Sequence, residues 1–162
     1  EERYNKLYYN KNTYHLPTYP EEYMESLHYL LMKTHTVLQR KITSRASEMG
    51  LTPGQPKILD YLLRYGESDQ KTIASYCEIE QATVGSILLR MEKAELITRG
   101  RHEGTRRSLF VSLTPKGTVA ARELMNIFRD AEEEAVSDLT SGELAAFKST
   151  LNKICSSVQR HP

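Results

Sequence analysis

The residues best placed to do chemistry lie between Gln81 and Arg107. Gln81, Ala82, Thr83, Gly85, Ser86 and Arg90 fall on one side of a helical pattern whose other side is apolar. Arg99, Arg101, Arg106 and Arg107 follow at once, around Gly100 and Gly104. Between Ile97 and Ser108 there are four arginines against one acid, Glu103. That set has no nucleophile with an adjacent base, no phosphate-cradling loop and no metal signature, so the reading is a binding protein rather than an enzyme. Its chemistry is non-covalent: amide and hydroxyl groups able to read base edges, and guanidinium groups able to meet phosphates. An ordinary amphipathic helix followed by a solubilising loop would carry similar residues. The order, a small helix, a turn, a second helix and then a basic hairpin, favours contact with double-stranded DNA. On that reading Gln81 and Ser86 address bases, and Ala82 and Gly85 let the helix sit deep. Thr83 and Arg90 reach phosphates, Arg99 and Arg101 lie near the backbone, and Arg106 and Arg107 suit a narrow minor groove.

The other reactive types are sparse. Cys77 and Cys155 are too few for a disulfide framework and indicate a reducing, cytoplasmic setting. Cys77 occupies an apolar position without an evident basic neighbour, so it reads as a buried structural thiol. His28 and His35 share a helical face, but two histidines do not make a metal site, and no metal or other cofactor is expected. The formal net charge of the 162 residues is +1, so DNA affinity must come from local charge. No apolar run is long enough to span a bilayer, no signal-peptide pattern opens the chain, and no membrane partner is expected. No initiator Met opens it either, so its start reads as processed or truncated.

The elements that must position these residues follow from caps and periodicity. Residues 1–20 read as an extended arm rich in tyrosine: Tyr4, Tyr8, Tyr9, Tyr14 and Tyr19, with Tyr23 just beyond. Tyrosine suits an interface, so an arm packing over a dimer seam is preferred; a lid over a cleft and plain disorder are the alternatives. A helix is expected from near Glu21 to Met49, stopped by Gly50. Thr52, Pro53 and Gln55 read as cap, first helical residue and capping-box partner of a second helix, which ends at Gly66. Asp69 caps a third helix. A fourth buries Val84, Ile87, Leu88 and Met91 at i, i+3, i+4 and i+7. Two strands flank the arginine loop. Thr114-Pro115 starts a fifth helix, running to about Ser137. Thr140 and Glu143 form a capping box for the last. The expected fold is mainly α with a small β-hairpin: a winged helix-turn-helix over residues 50–117. Residues 1–49 and 118–162 supply the arm and the dimerisation helices. The outer helices carry apolar faces that a two-fold homodimer would bury.

Several motifs resemble one known family. Leu51-Thr52 with Gln55, Ile73-Ala74, Thr83-Val84, Arg90-Met91-Glu92-Lys93, Ile97-Thr98-Arg99, Arg106-Arg107 and Leu113-Thr114-Pro115-Lys116-Gly117 look like the MarR family of bacterial transcriptional regulators. The resemblance is close over Leu51 to Leu124. It implies a triangular homodimer that represses transcription from a pseudo-palindromic promoter site. It also implies control by oxidation or by a small aromatic or lipophilic effector. The effector cleft it implies draws on His28, Met32, His35, Gln39, Tyr61 and Tyr65. Three departures stand out. The family commonly has Asp where this chain has Leu89, and again where it has Thr105; these acids orient the wing. Wing orientation here must rest on another acid, Glu103 or Glu92. Glu95 stands where the family has Gly, so a left-handed backbone there would be strained. A winged-helix module for protein contacts, without sequence-specific DNA binding, is the alternative function.

Overall fold

A computed structural model describes residues 25–101 and 109–160. The Tyr-rich arm and the loop bearing Glu103, Thr105, Arg106 and Arg107 lie outside the described residues. By its contacts the chain falls into two units, residues 1–34 and 35–162. Helix α1 (Leu27–Glu48) begins in the first and ends in the second. Its start is later than Glu21, because Ser26 is the cap: its Oγ accepts from the Tyr29 amide at 3.2 Å. Gly50 ends it as expected, at φ 77°. The Leu51 amide returns to the Ala46 carbonyl at 3.1 Å, which closes a Schellman turn.

Helix α2 (Gln55–Tyr65) starts differently from the expectation. Thr52 does not cap it, and Pro53 is not its first residue. The cap is Gly54 at φ 88°, with Pro56 in the first turn. Only half of the capping box forms, the buried Gln55 amide accepting from Thr52 N at 2.9 Å. Gly54 is favoured on two counts. Its φ is left-handed, and a Cβ there would come within 2.5 Å of Ile87 Cδ1. A short strand β1 (Ser68–Asp69), absent from the sequence reading, leads into α3 (Gln70–Cys77). Asp69 caps α3 as expected, accepting from the amides of Lys71 and Thr72 at 2.9 and 3.1 Å.

Helix α4 (Gln81–Lys93) buries the expected stripe: Val84, Ile87, Leu88 and Met91 are at most 3% exposed. Each such side chain contributes roughly 1.5–3 kcal/mol by burial. Strands β2 (Ile97–Gly100) and β3 (Phe110–Leu113) pair antiparallel, with Ile97 opposite Leu113 and Arg99 opposite Val111. β1 pairs with the other edge of β3, giving the order β1-β3-β2. Helix α5 (Pro115–Ala135) packs against α2, and Leu124 and Ala121 complete the core with Ile58, Leu59, Ile73 and Val111. The second half of α1 is tied to α5 by Arg45–Asp130 at 2.9 Å and by Lys41–Glu134. The last helix, α6 (Ser141–Arg160), opens on the expected box: Thr140 N donates to the Glu143 carboxylate at 2.8 Å, and Glu143 N donates to Thr140 Oγ1 at 3.3 Å. It buries none of its residues in the single chain. Among the described residues, no helix is long and apolar enough to cross a membrane.

Candidate nucleic-acid interface

The periodicity that buries Val84, Ile87, Leu88 and Met91 turns the opposite face of α4 outward. Gln81, Ala82, Thr83, Ser86 and Arg90 are all exposed, and Gly85 is half-buried. The helix is held at both ends. At its start, Gln70 from α3 donates its side-chain amide to the Gln81 carbonyl at 2.8 Å. The same amide lies 3.1 Å from where a Gly85 Cβ would stand, so Gly85 leaves room for this brace. The sequence reading missed Gln70. A glutamine at the first position of a polar helix end carries no periodic signal.

At its other end α4 is clamped by the Leu113–Gly117 motif. Thr114 Oγ1 donates to the Glu95 carbonyl at 2.6 Å and accepts from Gly117 N at 2.9 Å, so one hydroxyl caps α5 and fastens it to α4. Lys116 Nζ donates to the Ala94 carbonyl at 2.8 Å, and Thr114 N to the Leu96 carbonyl at 3.1 Å. Gly117 lies so close that a Cβ would stand 1.8 Å from the Leu96 oxygen. Glu95 adopts φ 60°, the left-handed turn anticipated for the position where Gly would be easier. The recognition-type helix, the hairpin base and the start of α5 therefore form one junction.

The wing arginines divide. Along β2 burial alternates, with Ile97 inward, Thr98 outward and Arg99 half-buried on the inward side. Arg99 thus runs beneath the hairpin to α4. Its Nε donates to Glu92 Oε2 at 2.9 Å, and its Nη2 donates to the same oxygen. The hydrogen bonds and charge of Arg99 hold the Glu92 carboxyl below its usual range. Of the two acids offered for orienting the wing, Glu92 is in contact with a wing arginine, and Glu103 lies outside the described residues. Arg99, expected near the phosphates, has Glu92 as its partner. Arg101 is exposed. Leu89, in place of the family's acid, is 45% exposed on the outer side of α4.

The residues expected to line an effector cleft are placed less uniformly. His28 and Met32 are exposed on the first half of α1. In the other unit His35 is exposed, and Gln39 donates to Thr43 Oγ1 at 3.2 Å. Tyr61 is buried, and its hydroxyl is bonded to Ser68 Oγ at 2.9 Å, because α2 turns it onto the start of β1. Tyr65 is exposed. With Tyr76 of α3 these rings form a trio with centroids 4.8–5.1 Å apart. Cys77 is buried, and burial pushes its thiol up to about 11, despite Lys57 nearby. Cys155 is exposed. Among the described residues, no three His, Cys, Asp or Glu side chains cluster to hold a metal.

An outward polar helix face, braced at both ends and joined to a three-stranded sheet with a basic hairpin, defines a winged helix-turn-helix protein. The sequence profile of the MarR family matches residues 49–108. The chain is 27% identical over 138 residues to the HTH-type transcriptional repressor NicR of Pseudomonas putida, covering 85% of this chain and 87% of that protein. The Staphylococcus aureus MepR–DNA complex superposes with a TM-score of 0.77 at 25% identity, over 83% of this chain and 99% of MepR. BpsR of Bordetella bronchiseptica, whose DNA binding is regulated by 6-hydroxynicotinic acid, shares the fold with a TM-score of 0.73 at 22% identity, over 81% of this chain and 99% of BpsR. The resemblance read from the motifs is borne out: residues 49–108 match the MarR family profile, and the similar proteins are transcriptional regulators of that family.

Proposed function

We propose that this protein is a homodimeric, sequence-specific repressor that binds a pseudo-palindromic site in double-stranded DNA in the cytoplasm. Binding of a small aromatic or lipophilic effector releases it. The observation that carries the reading is the outward face of α4, with Gln81, Ala82, Thr83, Ser86 and Arg90 exposed and the hairpin base locked beside it. In this reading Gln81 and Ser86 discriminate bases, while Arg90 and Arg101, with Arg106 and Arg107 of the loop, supply salt-dependent affinity. Dimerisation is supported by α6, whose Phe147 and Val158 are 48% and 67% exposed in the single chain. Two recognition helices would then address half-sites about 34 Å apart.

The test is a gel shift with the intergenic DNA upstream of the chain's own gene, challenged with an excess of unrelated duplex. A retarded complex that survives the competitor, with footprints on two half-sites about one helical turn apart, is expected. Loss of the complex to unrelated DNA at equal concentration overturns sequence-specific binding. Retention of the protein–protein contacts of a winged helix in the absence of any DNA complex would favour the interaction-module alternative.

A further inference from the structure

The family resemblance leaves the wing of this chain without its usual acidic partners, yet the hairpin base is fastened. Glu92 sits in the last turn of α4 and takes two donors from Arg99 on one oxygen. Arg99 occupies an inward register position opposite the buried Val111, and its side chain is only 22% exposed. The next residue, Gly100, ends the strand and has no side chain to tie down. Arg99 is therefore the last side chain of β2 with which the hairpin is held to the helix before the loop begins. Among the described residues the other ion pair at this junction, Lys116–Glu95 at 3.6 Å, joins two largely exposed side chains and contributes little.

We propose that Glu92 is the positioning residue of the wing: through Arg99 it fixes the direction in which the hairpin leaves α4, so that helix and wing meet DNA in one geometry. The proposal rests on the DNA-binding reading above. It carries a sign that simple electrostatics reverses. An acid near a polyanion repels it, so removing the charge of Glu92 should tighten DNA binding by Coulomb's law alone. If Glu92 acts by holding Arg99, its removal should weaken binding instead. It also follows that Arg99, with its charge matched inside the protein, displaces no counterion from DNA.

The experiment uses the full chain and a duplex enriched by the wild-type protein from a random double-stranded pool. Affinities are measured over a series of salt concentrations for Glu92→Gln, Arg99→Gln, the double variant and Arg90→Gln. Glu92→Gln and Arg99→Gln should each weaken binding about tenfold, the scale of a lost charge-assisted hydrogen bond. The double variant should be no weaker than either single, since both remove the same contact. Arg99→Gln should leave the slope of log affinity against log salt unchanged, while Arg90→Gln lowers it by about one. Should Glu92→Gln lower the melting temperature, Glu92→Asp keeps the charge but withdraws the carboxylate, and carries the same expectation. Equal or tighter binding by Glu92→Gln, additive losses in the double variant, or a full unit of slope lost in Arg99→Gln would each overturn the proposal. Failure of the wild-type protein to enrich any duplex would instead overturn the DNA-binding reading itself.

Discussion

Gly117→Ala offers the sharpest test of how α4, the hairpin and α5 are joined. A methyl group at this position would stand 1.8 Å from the Leu96 carbonyl oxygen and 2.8 Å from its carbon. Both partners are backbone, so no side chain can rotate away. Relief to ordinary van der Waals contact needs a separation of roughly 1.5 Å between α5 and the start of β2. Four hydrogen bonds cross or support that gap: Thr114 N to Leu96, Thr114 Oγ1 to Glu95, Gly117 N to Thr114 Oγ1, and Lys116 to Ala94. At about 1 kcal/mol each, their loss costs about 4 kcal/mol. The better helix propensity of Ala returns about 1 kcal/mol. The net loss of about 3 kcal/mol should lower the melting temperature by roughly 10 °C in a chain of this size. Thermal unfolding followed by far-ultraviolet dichroism, at one fixed protein concentration, reads it directly. Gly142→Ala is the control, because a Cβ there meets nothing within 4 Å and should leave the transition unmoved or slightly raised. A Gly117→Ala protein melting within about 2 °C of wild type would refute the junction as described.

Glu95→Gly should act in the opposite direction. It relieves the left-handed residue at φ 60° and raises stability by about 1 kcal/mol, seen as a melting temperature 2–4 °C higher; a decrease would contradict the strain argument. Asp69→Ala should cost about 1 kcal/mol at neutral pH, through loss of the α3 cap. Because Thr72 and the first amides of α3 hold the Asp69 carboxyl below its ordinary value of 3.8, its contribution is complete above that value. It disappears as pH falls through the lower folded value, so wild type and variant should converge in acid in paired unfolding curves. A gap that persisted undiminished at low pH would be the wrong sign. Cys77, buried and with its thiol pushed up to about 11, should resist a thiol reagent and peroxide until denaturant is added. Mass spectrometry showing prompt native labelling at Cys77 would make it a redox candidate after all.

Sequence reasoning was strongest where one physical rule acts alone. The 3.6-residue period of α4 fixed its buried stripe, and with it the outward face. Asp69, Thr114 and the Thr140–Glu143 box were visible as caps because capping is a local hydrogen-bond problem. Glu95 was visible as a misfit because left-handed backbone has a known cost for any residue but Gly. It was weaker where two local rules competed. At the start of α2 the Thr52–Pro53 signal lost to Gly54 and Pro56, because residue 54 takes a left-handed φ of 88° that favours Gly. It stopped short where the partner lies on a neighbouring element. Arg99 was expected near the DNA backbone, whereas strand alternation from Ile97 turns it toward Glu92, and the bond from the Tyr61 hydroxyl to Ser68 was not foreseen. Two-residue β1 has too few residues to show any alternation at all.

The tyrosine trio has an optical consequence. The chain contains no tryptophan, so nothing overlies tyrosine absorption near 280 nm. Tyr61, Tyr65 and Tyr76 hold their rings about 5 Å apart at fixed and unequal tilts, bridging α2 and α3. Transition dipoles that close and that asymmetric couple, and the coupling imprints a dichroism that a mobile tyrosine does not have. The chain's other seven tyrosines absorb in the same band, so the trio's share is the difference in dichroism between wild type and Tyr76→Phe, and that difference is sensitive to how α2 and α3 are set against each other.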